Sequence, residues 1–318
     1  MPVVALLLLI LVLFLLAVAA ALTQRAIRPR CFPYLKTYQI EVENGKLNEA
    51  EYWSWEKQEV SLTSPFGYRL SATYFPLPGA DRTVVLVHGI TYTRLGCIKY
   101  LPLFRQRGFN VLIYDQRYHG LSGGSNCAFG FYERHDLRVA LDWALAQLPP
   151  GGRVGTMGES LGAAVCLQHA ASDPRPAFVI ADCSFADLND LLRLRLRRDA
   201  GLPAFPFLPL ASLIARLQAG FWFGQVSPLR EAPQWKMPVL FIHGQQDRYI
   251  PPQHSRRLYA AKRHGLRRLF LAPNAGHAES YWNNRAAYEQ AVDQFLRDAG
   301  VLLPPSGSDQ IPPQGGKR

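Results

Sequence analysis

Cysteine is scarce in this chain and is not arranged in pairs. The five cysteines among 318 residues are odd in number and widely spaced: Cys31, Cys97, Cys127, Cys166 and Cys183. This spacing matches neither a disulfide framework nor a metal-binding motif. Cys166 and Cys183 lie in or just after apolar segments, so we predict that both are buried as small hydrophobic residues. The pattern favours a reducing compartment.

Acidic residues are few relative to basic ones. Asp and Glu number 24 against 35 Lys and Arg, most of them Arg, and the formal net charge is +11. A basic surface can attract nucleic acid or an anionic membrane. The sequence lacks zinc-finger spacing, an aromatic RNA-binding motif and a recognisable helix-turn-helix, so it predicts no nucleic-acid partner. An anionic membrane surface is the favoured interpretation, and a general bias toward arginine is the alternative.

No Lys or Arg precedes the long apolar run near the N-terminus. From Val3 to Leu22 the chain is almost entirely Leu, Val, Ile, Ala and Phe, which as a helix is long enough for the ~30 Å of a bilayer core. Basic residues follow closely at Arg25, Arg28, Arg30 and Lys36. The positive-inside rule therefore predicts that residues 1–24 are a single-pass anchor and that the rest of the chain is cytoplasmic. The alternative is a signal peptide cleaved near Ala19 or Ala21, which leaves the protein periplasmic or secreted.

The remaining chain has the composition of a globular protein. Hydrophobic residues make up 48% and charged residues 19%, which excludes wholesale disorder. No internal repeat is visible, and the length fits one large domain. We predict a linker and first strand at residues 25–55, a catalytic domain at 56–298 and a disordered tail at 299–318.

Strand and helix patterns alternate through the predicted domain. Residues 58–63 and 68–74 alternate in polarity around the turn signal Ser64-Pro65-Phe66-Gly67, so they indicate an antiparallel hairpin. Short apolar runs follow at 83–87, 110–114, 153–157, 177–181, 238–242 and 267–271. Such runs, separated by amphipathic helices, are typical of a parallel sheet buried on both faces. The predicted architecture is doubly wound α/β with an antiparallel start.

The third of these parallel strands enters a Gly-x-Ser-x-Gly motif. Gly158-Glu159-Ser160-Leu161-Gly162 lies between a predicted strand and a predicted helix, which is the setting of a nucleophile elbow. Small residues two positions either side allow a serine to stand on a sharp, strained turn. Ser160 is therefore the candidate nucleophile, and the N–H of Leu161 is a candidate oxyanion donor at the start of the helix. The alternative is a tight turn with a capping serine.

A serine needs a base and an orienting carboxylate to act at neutral pH. Asp247 and His277 each follow a predicted strand, and they come after Ser160 in the order Ser, Asp, His. Because the carboxyl ends of parallel strands meet at one edge of the sheet, we expect the three side chains to converge. Asp182, which follows another strand, is the rival third member.

These segments together resemble the α/β-hydrolase superfamily, in particular its serine aminopeptidase and monoglyceride-lipase-like branch of the membrane-anchored bacterial type. The similarity covers about residues 60–296 and includes the segments 86–89, 114–124, 158–162, 243–247 and 276–277. It implies the α/β-hydrolase fold, with Ser160 as nucleophile, His277 as general base and Asp247 as its partner. It further implies an oxyanion hole formed by the N–H groups of Leu161 and Ile90, although the longer His-Gly-Gly-Gly form of that loop is absent.

Other motif residues are predicted to be structural. Asp115 and Arg117 are expected to tie together their own loop, and His88 to pack within a loop. The long segment at about 185–237 predicts a helical cap over the site. Its apolar residues either line the underside of the cap or, beside the basic run 193–198, meet anionic lipid. An amphipathic helix is predicted at about 277–296.

The sequence thus predicts a serine hydrolase that cleaves an ester, thioester or amide, preferably a lipophilic ester, through an acyl-enzyme. It predicts no metal and no organic cofactor, and it leaves the substrate-binding residues and oligomeric state unassigned. Two alternatives remain, namely an acyltransferase that uses the same three residues and a membrane-anchored binding protein without catalysis.

Overall fold

A single eight-stranded sheet organises the fold. The computed structural model describes residues 2–303, so most of the predicted disordered tail lies outside the described residues. The strands are β1 (Gln58–Thr63), β2 (Arg69–Phe75), β3 (Arg82–Val87), β4 (Asn110–Tyr114), β5 (Arg153–Glu159), β6 (Val179–Asp182), β7 (Val239–Gly244) and β8 (Arg267–Ala272). Each apolar run named above therefore forms a strand, with bounds that shift by at most two residues.

The strand order is β1-β2-β4-β3-β5-β6-β7-β8. The β1–β2 pair is antiparallel, with Val60 opposite Ala72, and β2 is antiparallel to β4. All remaining pairs are parallel. The predicted hairpin and doubly wound α/β architecture are confirmed. The carboxyl ends of β3, β5, β6, β7 and β8 consequently meet at one edge, where functional residues of such sheets gather.

Helices cover both faces of the sheet. They are α1 (Pro2–Ile27), α2 (Tyr34–Glu43), α3 (Glu49–Ser54), α4 (Leu101–Arg105), α5 (Glu133–Ala146), α6 (Leu161–Ser172), α7 (Leu188–Ala200), α8 (Phe207–Ala219), α9 (Pro228–Glu231), α10 (Gln253–Ala261), α11 (Ser280–Asn283) and α12 (Arg285–Asp298), with short 3₁₀ turns at Arg94–Tyr100, Phe223–Gln225 and Ala232–Gln234. Alternate residues of β3 divide between the two faces: Val85 and Val87 pack in the cluster that contains α5 and α6, and Val84 and Leu86 pack in the cluster that contains α12.

Residues 25–55 differ from the predicted linker and first strand. They end α1 and form α2 and α3, and the first strand begins only at Gln58. In α2, Thr37 and Glu41 lie four positions apart and are both buried on one face of the helix. Asn48 caps α3 by accepting a hydrogen bond from the Glu51 N–H (3.2 Å). Burial of residues four positions apart thus favours a helix where the sequence predicts a linker and first strand.

The predicted helix at 277–296 is also corrected. His277 lies in the loop after β8, and the helical segment begins at Ser280 and is interrupted at Asn284 before α12. The Asn284 side chain donates to the carbonyl oxygen of Pro273 (2.8 Å). This hydrogen bond joins the interruption between α11 and α12 to the loop that contains His277.

The N-terminal helix α1 is long and apolar enough to cross a membrane, and within residues 2–303 it is the one helix that is. From Val3 to Leu16 its residues are exposed except Leu15, which is half-buried. Its second half buries Ala19, Thr23 and Ile27, which lie on one stripe. The Thr23 hydroxyl donates to the carbonyl oxygen of Ala211 in α8 (3.0 Å). The helix therefore continues into the globular part and packs against it.

The segment between β6 and β7 forms the predicted helical cap from α7, α8 and α9. The helices α7 and α8 end at Gly201 and Gly220, which take positive φ angles of 65° and 80°, as is common at helix C-termini. The apolar residues of the cap differ in their exposure, and contact of the exposed ones with anionic lipid stays a prediction. Several are buried beneath it: Phe207, Ala211, Phe221 and Phe223. Others are exposed on its outer side: Phe205, Leu213, Leu217 and Trp222.

Candidate active site

Ser160 stands on a sharp turn between β5 and α6. Its backbone angles are φ 56° and ψ −115°, a strained region for a residue with a side chain. A Cβ atom on Gly162 would overlap the Val87 carbonyl of β3, and one on Gly158 would overlap the Gly162 backbone. Ser160 itself donates its backbone N–H to the carbonyl oxygen of Asp182 (2.8 Å). The two glycines therefore permit the close contact that holds the strained turn.

The structure brings together the three residues predicted to act as a unit. The Nε2 atom of His277 lies 2.9 Å from the Ser160 hydroxyl oxygen, and its Nδ1 atom lies 2.7 Å from Oδ2 of Asp247. Asp247 follows β7 and His277 follows β8, so both reach Ser160 from the same edge of the sheet. These distances form a continuous hydrogen-bonded chain from carboxylate to imidazole to hydroxyl.

Asp247 is held in its ionised form. Burial of the carboxylate opposes ionisation, but hydrogen bonds from His243 and His277 outweigh it and hold the pKa of Asp247 well below its usual range. Its second oxygen accepts the N–H groups of Tyr249 (2.8 Å) and Ile250 (2.9 Å). A carboxylate fixed by several donors keeps its negative charge and orientation beside an imidazole.

The rival residue Asp182 has a different environment. Its carboxylate accepts a hydrogen bond from the Tyr288 hydroxyl (3.1 Å) in α12, while its backbone carbonyl supports Ser160. Burial, together with the nearby charge of Glu159, raises the pKa of Asp182 to about 6. The Asp182 side chain thus contacts α12, whereas Asp247 contacts His277.

Ile90 and Leu161 both lie close to Ser160 in the fold. Leu161 begins α6 directly after Ser160, and the loop of Ile90 contacts the turn, since a Cβ on Gly89 would lie 3.6 Å from Ser160 Cβ. Within residues 2–303, neither amide N–H donates to another residue. Two free donors beside a candidate nucleophile are the arrangement that an oxyanion hole requires.

Neighbouring loops hold the loop that contains Ile90. The next residue, Thr91, donates its N–H to His119 Nε2 (3.2 Å) and accepts the Phe32 N–H (2.9 Å). His88 donates to the Gly89 carbonyl (2.7 Å) and accepts the Gln116 N–H (3.0 Å). Burial lowers the pKa of His88 to about 4, so this residue is neutral and packs within the loop, as predicted.

Asp115 and Arg117 are structural, also as predicted. The buried Asp115 carboxylate accepts the Arg94 backbone N–H (2.6 Å), pairs with the Arg94 guanidinium (2.9 Å) and accepts the Leu121 N–H (3.0 Å). The Arg117 guanidinium lies 4.4 Å from the ring centroid of Tyr132, a cation–π contact. Both residues stabilise the loop that follows β4.

A polar cavity of about 420 Å³ opens beside Ser160 and His277. Its walls carry charged side chains that the sequence analysis did not assign: Glu41, Lys46, Lys99, Glu159 and Glu279. Lys99 pairs with Glu159 (2.8 Å), which also accepts the Tyr100 hydroxyl hydrogen (2.6 Å). Glu41 is 1% exposed, and burial raises its pKa. Glu41 lies in α2, where the sequence analysis predicts a linker and first strand, so its place in the site was not predicted.

A second, mainly apolar cavity of about 290 Å³ lies beneath the cap. It shares Ile90 and Tyr249 with the polar cavity that contains Ser160, so the two cavities are neighbours. The Tyr249 ring lies 4.9 Å from the His277 ring, and the Arg195 guanidinium of α7 lies 4.1 Å from the Tyr249 ring. The sequence predicted an apolar space under the cap, but not that α1 contributes to it.

Cys183 lies close to Asp247 and His277, and their donor atoms are within 4.8 Å of one another. Such a group can ligate a metal only if the thiol ionises. Burial raises the pKa of the Cys183 thiol well above its ordinary value, and hydrogen bonds already occupy Asp247 and His277. The donor set therefore fits a metal poorly. Cys166 and Cys183 are both buried, as predicted.

Comparison with known proteins gives a consistent result. The family model described as alpha/beta hydrolase fold matches residues 82–205, and the one described as TAP-like protein matches residues 217–305. YqkD of Bacillus subtilis is 38% identical over 258 residues, which are 80% of this chain and 84% of YqkD. YfhR of Escherichia coli K12 is 25% identical over 251 residues, which are 76% of this chain and 81% of YfhR.

Solved structures share the fold. The esterase Pf2001 of Pyrococcus furiosus superposes with a TM-score of 0.65 at 24% sequence identity, over 78% of this chain and 93% of the esterase chain. DcsB, solved in complex with its substrate analogue, superposes with a TM-score of 0.61 at 18% identity, over 77% of this chain and all of that chain. At these identities the likeness concerns the fold.

Proposed function

Because the chain belongs to the α/β-hydrolase superfamily, we propose that it is a serine hydrolase that cleaves a lipophilic ester through an acyl-enzyme on Ser160. The observation that carries this proposal is the hydrogen-bonded chain from Asp247 through His277 to Ser160 on a strained turn. Membership of the family and the esterase fold neighbour support a hydrolase. The three side chains support the serine mechanism.

In the proposed mechanism, Ser160 attacks the ester carbonyl carbon while His277 Nε2 takes the hydroxyl proton. The carbonyl oxygen becomes an oxyanion, which accepts hydrogen bonds from the N–H groups of Leu161 and Ile90. His277 then gives its proton to the leaving alcohol oxygen as the carbon–oxygen bond breaks. Asp247 stabilises the imidazolium that exists between these two proton transfers.

The second half of the reaction uses the same groups. A water molecule gives a proton to His277 Nε2 and attacks the acyl-enzyme carbonyl. Collapse of this second tetrahedral intermediate releases the acid and returns the proton to Ser160. Thioesters and amides react by the same steps, and an alcohol or amine in place of water gives acyl transfer.

Two features support a lipophilic substrate. The apolar cavity under the cap neighbours the polar cavity that contains Ser160 and suits an acyl chain, whereas the polar cavity suits the leaving alcohol. The N-terminal helix α1 further supports a membrane location. We propose that α1 is a retained anchor and that the catalytic domain is cytoplasmic, since Arg25, Arg28 and Arg30 follow the apolar run.

Covalent labelling with a fluorophosphonate probe tests the proposal. The purified full-length protein is labelled beside Ser160→Ala and His277→Ala, and circular dichroism of each variant checks the fold. We expect strong labelling of the wild type and none of either folded variant. Absence of labelling of folded wild type in both detergent and liposomes would contradict an activated serine and favour the binding-protein alternative. Product analysis with an added alcohol then separates hydrolysis from acyl transfer.

A further inference from the structure

We propose that the membrane-spanning helix α1 forms one wall of the acyl-chain site, and that the substrate is a long-chain amphiphile drawn directly from the bilayer. This inference rests on the proposed serine hydrolase activity and deepens it. It gives α1 a second role besides attachment, because the helix then takes part in selecting the chain that reaches Ser160.

The first observation is the lining of the apolar cavity. Leu22 and Ala26 of α1 form one side, Leu191 and Leu196 of α7 a second side, and Leu208 and Ala211 of α8 a third. Three charged residues also line it, namely Arg25 of α1 and the ion pair of Arg195 with Asp199 (2.7 Å), and the remaining lining residues are apolar or aromatic. The cavity is therefore largely apolar, and it is bounded by the anchor as well as by the cap.

The second observation is the position of the reacting group relative to this cavity. Ile90 and Tyr249 line both the apolar and the polar cavity, and the polar cavity contains Ser160 and His277. An acyl chain that lies between α1 and the cap can therefore extend past Ile90 and Tyr249 toward Ser160. Its alcohol half extends to the polar side, among the charged residues described above.

The third observation is the depth at which the cap meets α1. A bilayer core of ~30 Å takes about 20 helical residues, which from Pro2 extends to Ala21. Burial of α1 by the protein already begins at Ala19, and Thr23 is hydrogen-bonded to α8. The cap must then lie at the membrane surface, beside the point where α1 leaves the bilayer.

The outer side of the cap fits this position. Phe205, Leu213 and Leu217 are exposed, with Leu217 77% exposed, and Trp222 is also exposed. Arg216 and Arg193 are exposed among them. Exposed aromatic and aliphatic residues interspersed with arginine are typical of surfaces that rest in the headgroup region of a membrane. A lipid beside α1 thus has a short path into the cavity.

A matched pair of substitutions on α1 tests the inference in full-length protein. Ala26→Phe adds volume to the cavity wall, whereas Ala21→Phe makes the same change at an exposed position of the same helix. Each variant is assayed with p-nitrophenyl butyrate and p-nitrophenyl palmitate in mixed micelles. We expect Ala26→Phe to lower kcat/KM for the palmitate about tenfold relative to the butyrate. We expect Ala21→Phe to leave the ratio unchanged.

A crosslinking measurement covers the case in which Ala26→Phe does not fold. Wild-type protein in liposomes is labelled with a long-chain alkyl fluorophosphonate that carries a diazirine midway along the chain, irradiated and digested. Crosslinks to the α1 peptide that contains Leu22 would support the inference. Labelling of Ser160 with crosslinks only elsewhere, or an unchanged palmitate-to-butyrate ratio in folded Ala26→Phe, would overturn it while leaving the hydrolase proposal intact. Failure to label Ser160 at all would instead contradict the hydrolase proposal.

Discussion

The Nδ1 atom of His277 lies 2.7 Å from the Oδ2 atom of Asp247. Because the ionised carboxylate can only accept, this contact assigns the imidazole proton to Nδ1 and leaves the Nε2 lone pair directed at Ser160, 2.9 Å away. The carboxylate is itself oriented by two backbone N–H groups and lies 3.2 Å from His243 Nε2. A base prepared in this way fits the proposed proton transfers without a change of tautomer.

Paired substitutions of the two candidate aspartates provide the first prediction. Asp247→Asn exchanges an acceptor for a group that favours the wrong imidazole tautomer, so kcat is expected to fall by about 10⁴-fold. Asp182→Asn leaves the contact with His277 untouched and should change kcat by less than about threefold. Steady-state kinetics of both variants on one ester checks this. Comparable losses in the two variants would contradict the assignment of Asp247.

Asp182 provides the second prediction, on stability and pH. Its folded pKa is raised to about 6 by burial, above the ordinary value of 3.8. Between these values the folded state binds more protons than the unfolded state, so this group makes stability fall as pH rises from about 4 to about 6. Asp182→Asn removes this titrating carboxyl group. The free energy of unfolding of the variant minus that of wild type should therefore increase across that window, by an amount on the order of 2 kcal/mol.

Urea titrations of wild type and Asp182→Asn in a mild detergent at several pH values measure this difference. Other carboxylates titrate in both proteins, so the quantity to follow is the variant's free energy of unfolding minus that of wild type. A difference that stays constant from pH 4.5 to pH 7.5, or that decreases, would show that Asp182 is not protonated preferentially in the folded state.

The close approach at the elbow gives the third prediction. In Gly162→Ala the new Cβ would overlap the Val87 carbonyl, so β3 and α6 must separate. We expect a loss of about 1–3 kcal/mol of stability and loss of fluorophosphonate labelling. Gly89→Ala is the stability control, because its Cβ has ordinary contacts at 3.6 and 3.7 Å. Equal thermal midpoints for the two variants would contradict the steric argument.

Much of this architecture was predictable from sequence because it rests on local patterns. Continuous apolar runs specify strands buried on both faces, and residues that follow such strands converge at one edge, which anticipates the contacts of Ser160, Asp247 and His277. The two glycines of the elbow are predictable because a sharp turn leaves no room for a side chain at those positions. These features need no knowledge of which helix covers which surface.

What sequence reasoning missed depends on tertiary packing. Residues 25–55 are predicted to be a linker and first strand, yet Tyr34–Glu43 is a helix that buries Thr37 and Glu41. Glu41 was therefore not foreseen beside Ser160, and neither was Lys99, which lies in the 3₁₀ turn at Arg94–Tyr100. The apolar run of α1 is almost uniformly hydrophobic, so no periodicity in it indicates the stripe of Ala19, Thr23 and Ile27 that meets the cap.

The fourth prediction concerns the fate of α1 in the cell. Cleavage near Ala19 or Ala21 would divide the helix within the section that packs on the cap, and would discard Ala19. We therefore expect the mature protein to keep α1, with the C-terminus cytoplasmic as the arginines after the run require. A C-terminal fluorescent protein should be bright, a C-terminal alkaline phosphatase inactive, and the intact mass should include residues 2–22. Three Lys residues placed before Val3 remove the charge asymmetry and should raise the phosphatase signal. An active phosphatase fused to the unaltered chain, or a mass lacking these residues, would contradict retention in this orientation.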